Sequence, residues 1–193
     1  SIRYLLSIKA RWGIAYKFVD RWDDVVLRKS IKIKNPANHF LADPFPWFYN
    51  GKHYCFVEDY SFIEKKACIS VYEIHKNGYS NLGEAIKENF HLSYPFLLED
   101  NNNIYMCPES YENKDIRLYK SVEFPLKWEL EIVLMKNIQA VDTNIFYKNG
   151  KWWMLTSIDS SGSKQFDSEL HIFWSDTLLS KKWHHHKLNP VIF

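Results

Sequence analysis

Residues 43–58 read DPFPWFYNGKHYCFVE, residues 94–109 read YPFLLEDNNNIYMCPE, and residues 142–157 read DTNIFYKNGKWWMLTS. The three stretches align without a gap, and each reads as a strand, a polar turn and a second strand. Asn50-Gly51 and Asn149-Gly150 are strong hairpin signals, because both central residues accept positive φ. The middle stretch carries Asp100-Asn101-Asn102-Asn103 at the same place, a weaker form of the same turn chemistry. An aromatic recurs at one repeat position as Tyr54, Tyr105 and Trp153.

Working outward, a third strand follows each hairpin: CISVYEI at 68–74, IRLYKS at 116–121 and LHIFWS at 170–175. Tyr119 and Trp174 are each followed, at the same distance, by Trp128 and Trp183, where a fourth strand is expected to close the unit. Four antiparallel strands returning at a period of about 50 residues are the signature of a propeller blade. A lone four-stranded sheet cannot bury both faces, so blades stack around an axis. The reading is an all-β chain forming a single β-propeller domain over 1–193. Segments 38–92, 93–140 and 141–193 are successive blades, and 1–37 is part of a terminal blade through its runs WGIAYKFV and VVLRKSIKI. The most polar stretch, DSSGSKQFDSE at 159–169, falls between the second and third strands of the third blade. Propellers typically have at least four blades. The propeller is therefore expected to be incomplete in this chain, three full blades plus part of another, with residues beyond 193 or a partner segment filling the gap.

Composition narrows the function. Lys plus Arg number 25 against 23 for Asp plus Glu, which offers no basic surface of the kind nucleic acid requires. Aromatics reach 17% of residues, suited to packing on pleated surfaces and, where exposed, to stacking on a ring-shaped ligand. The three cysteines, Cys55, Cys68 and Cys107, form no C-x-x-C pair. Their odd count suits free, buried thiols in a reducing, cytoplasmic compartment. No stretch approaches a membrane span. Phosphate-loop, dinucleotide, nucleophile-elbow and zinc-protease motifs are missing, and no metal or other cofactor is expected. His184-His185-His186 resembles a metal tract, but alternation along a strand sends neighbours to opposite faces.

Topology assigns the candidate site. In an up-and-down blade the first strand starts at the face where the second ends. Asp43, Tyr94 and Asp142 at the first repeat position therefore lie level with Glu58, Glu109 and Ser157 at the last. Up to four carboxylates should line one mouth of the central funnel, with His91 and Tyr94 beside them. Like charges gathered in a partly desolvated funnel raise one another's pKa values, and such clusters mark functional sites. The competing account is that these acids cap loop amides, as Asp does in turns.

FLADPF at 40–45, HLSYPF at 91–96, IYMCPES at 104–110, LYKSVEFPLKW at 118–128, VDTNIFYKNGKWWML at 141–155 and HHHKLNPV near the end form an ordered series. From about residue 37 onward it resembles the propeller domain at the N-terminus of plant glucosamine inositolphosphorylceramide transferase. A similar domain is joined to formyltransferase-like domains in bacteria. More distantly, the arrangement is similar to the five-bladed clan of arabinanases, invertases and levansucrases, which makes the expected fold a five-bladed-type β-propeller. The resemblance implies a carbohydrate- or nucleotide-sugar-binding domain, accessory to a glycosyl- or formyl-transferase. Asp43, Glu58, His91, Tyr94, Glu109 and Asp142 would be its ligand-binding residues. The alternative it implies is a glycoside hydrolase, with Asp43 as base or nucleophile, Glu109 as acid and Asp142 orienting them. Here the second blade begins with Tyr94 rather than an acid, a departure from the glycosidase pattern. A pure assembly module is a third reading.

Overall fold

The computed structural model describes residues 12–21, 23, 26–160 and 169–192. Three four-stranded antiparallel sheets follow one another along the chain. The first blade comprises β3 (His39–Tyr49), β4 (Lys52–Ser61), β5 (Lys66–His75) and β6 (Gly78–Ile86). The second comprises β7 (Ser93–Asp100), β8 (Asn103–Ser110), β9 (Asp115–Glu123) and β10 (Lys127–Lys136). The third comprises β11 (Ala140–Lys148), β12 (Lys151–Ile158), β13 (Leu170–Ser175) and the short β14 (His184–His185). In each, strands pair in chain order, and the innermost strand β3, β7 or β11 lies against its neighbour in the next blade. The architecture is that of a five-bladed-type β-propeller whose ring these blades do not close.

The sequence repeat is a structural repeat down to the register. Phe45 faces Phe56, Phe96 faces Cys107 and Asn144 faces Leu155. Each inner hairpin turns on two residues in the left-handed region: Asn50 and Gly51 (φ 47 and 77), Asn101 and Asn102 (47 and 60), Asn149 and Gly150 (52 and 78). The repeated tryptophans also share a role. The indole N–H of Trp128 donates to Pro125 O (2.7 Å) and that of Trp183 to Ser180 O (3.0 Å), closing the turn that leads into the fourth strand.

Period-two alternation gives each blade two apolar faces. Phe56, Ile69 and Val71 of the first blade pack against Leu97, Ile104 and Met106 of the second. The second blade's other face, with Tyr105, Cys107 and Leu118, packs against Ile145, Trp152, Met154 and Phe173 of the third. The first blade's remaining face, with Leu41, Val57 and Tyr72, is covered by Ile14 and Ile33.

That cover comes from the N-terminal runs. They form only a two-residue ladder, β1 (Ala15–Tyr16) with β2 (Ile31–Lys32), plus a 3-10 turn at Leu27–Lys29. Two isoleucines plug the blade face, and among the described residues the runs build no longer strand than this ladder. Most of the polar stretch at 159–169 lies outside the described residues. Among the described residues no helix is long and apolar enough to cross a membrane.

A buried ion pair fixes the connector between the first two blades. Arg117 on β9 grips Asp115 through Nε (2.9 Å) and Nη2, and its guanidinium lies 4.8 Å from the centroid of Phe90. Tyr119 OH donates to Glu88 (2.6 Å). Glu88 and Phe90 lie within the three residues before His91, so this network sets where His91 enters the site.

Candidate functional site

One backbone feature positions the site. Each inner hairpin is interrupted by a bulge after Ala42, Ser93 and Val141. The first bulged residue is Asp43 (φ 48), Tyr94 (φ 44) or Asp142 (φ 54), all left-handed and none a glycine. Such a conformation costs an L-residue about 1–2 kcal/mol, and strain of this kind concentrates at functional sites. A bulge also removes a residue from ladder pairing and re-aims its side chain and amide. The freed amides reach back to the preceding blade. Tyr94 N–H donates to Asp43 Oδ2 (3.2 Å), and Asp142 N–H donates to Glu109 Oε2 (3.4 Å).

Asp43, Glu58, Glu109 and Asp142 come together as the repeat requires. Glu58, at the end of β4, is buried, and its carboxyl is pushed up from 4.5 to about 8. Burial is the main cause, followed by the charges of Asp43 and Glu109. Glu109, at the end of β8, is pushed up to about 7 by burial and then by Asp142, while the Asp142 amide and Ser93 hydrogen bonds pull it back. Asp142 is more open as a residue, yet partial desolvation and then Asp43 raise its carboxyl too. The four acids thus form one coupled group, in which the Glu58 and Glu109 carboxyls are raised to the neighbourhood of neutral pH.

His91 and Tyr94 flank that group. Ala67 N–H donates to His91 Nδ1 (3.2 Å), so neutral His91 carries its proton on Nε2, which lies 3.4 Å from Glu58 Oε1. Burial lowers the His91 pKa against the opposing pull of Glu112 and Asp43. Tyr94 OH donates to Asn144 Oδ1 (3.3 Å), and Asn144 Nδ2 donates to Asp142 O (2.9 Å). Ser93 follows His91 in the segment entering the second blade, whereas Asn144 and Glu112, which accepts the His91 backbone N–H at 2.6 Å, were not legible as site residues in the sequence. Their contacts follow from the bulge and the connector, which leave no composition signal. A second polar pairing was not legible: His39 Nδ1 meets Asp59 Oδ1 at 2.6 Å, and Ser70 Oγ donates to Asp59 Oδ2 at 2.8 Å. Asp59 alternates with Glu58 and so lies on the other face of β4. Among the described residues no group of three or more His, Cys, Asp or Glu is arranged to hold a metal ion.

This arrangement can accept hydrogen bonds from hydroxyls through ionised acids and donate them through protonated ones. It can also attract a cation. The family model described as glucosamine inositolphosphorylceramide transferase 1, N-terminal, matches residues 15–193. The chain belongs to this family. It is 37% identical over 158 residues to glucosamine inositolphosphorylceramide transferase 1 of Arabidopsis thaliana, covering 81% of this chain and 20% of that protein. The Oryza sativa subsp. japonica protein of the same name is 35% identical over 158 residues, with 81% and 21% covered. The chain therefore spans about a fifth of the length of these curated relatives. Among solved structures, a family 117 glycoside hydrolase from Zobellia galactanivorans superposes with a TM-score of 0.64 at 13% identity, over 94% of this chain and 62% of that one. An alpha-L-arabinofuranosidase from Lactobacillus brevis gives 0.59 at 9% identity, over 83% and 61%. At such identities the likeness is one of fold.

Proposed function

We propose that the funnel mouth binds a carbohydrate and that the domain serves as the sugar-recognising accessory of a transferase in glycan or glycolipid biosynthesis. The observation that carries this reading is the coupled group of Asp43 and Asp142, on strained bulges, with Glu58 and Glu109, whose carboxyls are pushed up to about 8 and about 7. A mixture of carboxyl donors and carboxylate acceptors suits sugar hydroxyls. Four acids repel a diphosphate, which favours the sugar itself over a nucleotide sugar at these side chains. They suit an amino sugar, whose ammonium would pair with them. The plant relatives are named for glucosamine, which fits that preference.

The partner is the remainder of a larger transferase polypeptide. The outer face of the third blade, where Trp153, Leu155, Ile172 and Trp174 stay partly exposed, offers a surface for a further blade. Three buried free thiols favour a reducing, cytoplasmic setting.

Calorimetric titration with glucosamine tests the reading. Wild-type protein should bind at pH 8, and Glu109→Gln and Asp43→Asn should each weaken binding about tenfold. No binding by the wild type to any of glucosamine, glucose or mannose would overturn it. Glycoside hydrolysis is the second reading, favoured by a Glu109 pKa near neutrality, which suits a general acid opposite Asp43. Turnover of aryl glycosides at enzyme-like rates, abolished by Asp43→Asn, would decide for hydrolysis.

A further inference from the structure

The carboxylates do not stand at a flat rim. A cleft of about 480 Å³ opens from Asp43 and Glu58 and runs between the start of β3 and the N-terminal ladder. Asp43 and Glu58 are its acids, and the rest of its wall is largely apolar, including Trp12, Phe40 and Pro44. A concave, mostly apolar wall with a few convergent polar groups is the usual form of a small-ligand site.

Trp12 is the unusual member of this wall. Its residue surface is 66% exposed, although a tryptophan normally contributes by burial. Its position is nevertheless fixed. Asn35 Nδ2 donates to Trp12 O (2.8 Å), and Ile33 N–H donates to Ile14 O (3.0 Å). Ile14 and Ile33 are buried on the first blade. An exposed indole is thus presented from a ladder that is itself anchored. Phe40 differs, because one of its faces is already stacked on Tyr60, with centroids 4.8 Å apart and planes at 15°.

We infer that this cleft is a second subsite, in which Trp12 stacks on the next ring of an oligosaccharide or glycoconjugate whose first sugar meets Asp43 and Glu58. The inference rests on the carbohydrate reading of the funnel mouth and adds the class of ligand, a chain of at least two rings. The faces of a pyranose ring carry C–H groups that pack on an aromatic plane, while its equatorial hydroxyls point outward to polar partners. The apolar wall and the two acids of the cleft match those two demands. The N-terminal ladder thereby acquires a ligand-binding role besides covering the blade.

Binding of matched monosaccharide and 1,4-linked disaccharide pairs of glucosamine, glucose and mannose, measured by calorimetry on the full chain, tests this. For the sugar that binds, the disaccharide should bind about tenfold tighter than the monosaccharide. Trp12→Ala should erase that gain and leave monosaccharide affinity unchanged, and Trp12→Phe should restore much of it. Because the indole is exposed, the melting temperature of Trp12→Ala should match wild type, which separates ligand loss from misfolding. Equal affinity for both members of a pair, or equal loss of both on Trp12→Ala, overturns the second subsite while leaving a monosaccharide site sensitive to Asp43→Asn in place. Absence of binding to every sugar overturns the subsite together with the reading of the funnel.

Discussion

At the scale of residues, the distinctive feature is a buried acid that keeps its proton. Glu58 is 8% exposed and titrates at about 8 in place of 4.5. Between those values the folded chain holds a proton that the unfolded chain has released, so stability falls as pH rises. The contribution is intact below about 4.5 and lost by the time pH passes 8. Each such proton tilts stability by about 1.4 kcal/mol per pH unit. Thermal melts of the ligand-free protein should therefore show a midpoint that declines from pH 5 to pH 8, and Glu58→Gln should flatten the decline. An unchanged slope in that variant would assign the pH dependence to other groups. Affinity for a cationic sugar should move in the opposite direction, rising with pH as Glu109 and Glu58 ionise at about 7 and about 8.

At the scale of elements, three copies of one hairpin allow an internal comparison. Gly51 and Gly150 occupy the second turn position with φ near 77, whereas the middle blade places Asn102 there with φ 60. Nothing lies within 4 Å of a Cβ added at Gly51, so any cost of substitution is backbone strain alone. Gly51→Val should lower stability by about 1–2 kcal/mol, the left-handed penalty for an L-residue. Asn102→Gly should change it by no more than about 0.5 kcal/mol, because asparagine already tolerates this conformation. Urea denaturation of the two variants checks the contrast, and equal losses in both would show that the turns are not equivalent. The same logic explains why the turns could be read from the sequence and the bulges could not. Asn-Gly announces positive φ, but Asp43-Pro44, Tyr94-Pro95 and Asp142-Thr143 do not, since tyrosine rarely adopts it and aspartate, though more tolerant, is common in many other conformations.

At the scale of the whole molecule, stability is shared across interfaces. Each apolar cluster is built from two neighbouring units, so no blade owns a core of its own. The first blade depends on the N-terminal ladder, whose Ile33 is 4% exposed and sits among Leu41, Val57 and Tyr72. Ile33→Ala should cost about 2–4 kcal/mol, a core-sized loss from a residue outside the blades. A loss below 0.5 kcal/mol in chemical denaturation would mean that the ladder rests on the blade without supporting it. The second blade is covered on both sides, while the third keeps Phe146 at 40% exposure on its far side.

The sequence by itself determined the blade, its repeat, its inner register and the level at which Asp43, Glu58, Glu109 and Asp142 meet. Those properties follow from period-two alternation and local turn chemistry, which act over a few residues and leave a visible pattern. Only the tertiary structure decided that the first residue of each repeat is left-handed, that the Tyr94 and Asp142 amides serve acids of the preceding blade, and that the Glu58 and Glu109 carboxyls are raised towards neutral pH. It also decided that the N-terminal runs plug a face and carry Trp12 to the cleft. These depend on which surfaces are brought together and dehydrated, and desolvation is a property of the assembled neighbourhood that no residue carries in its own identity.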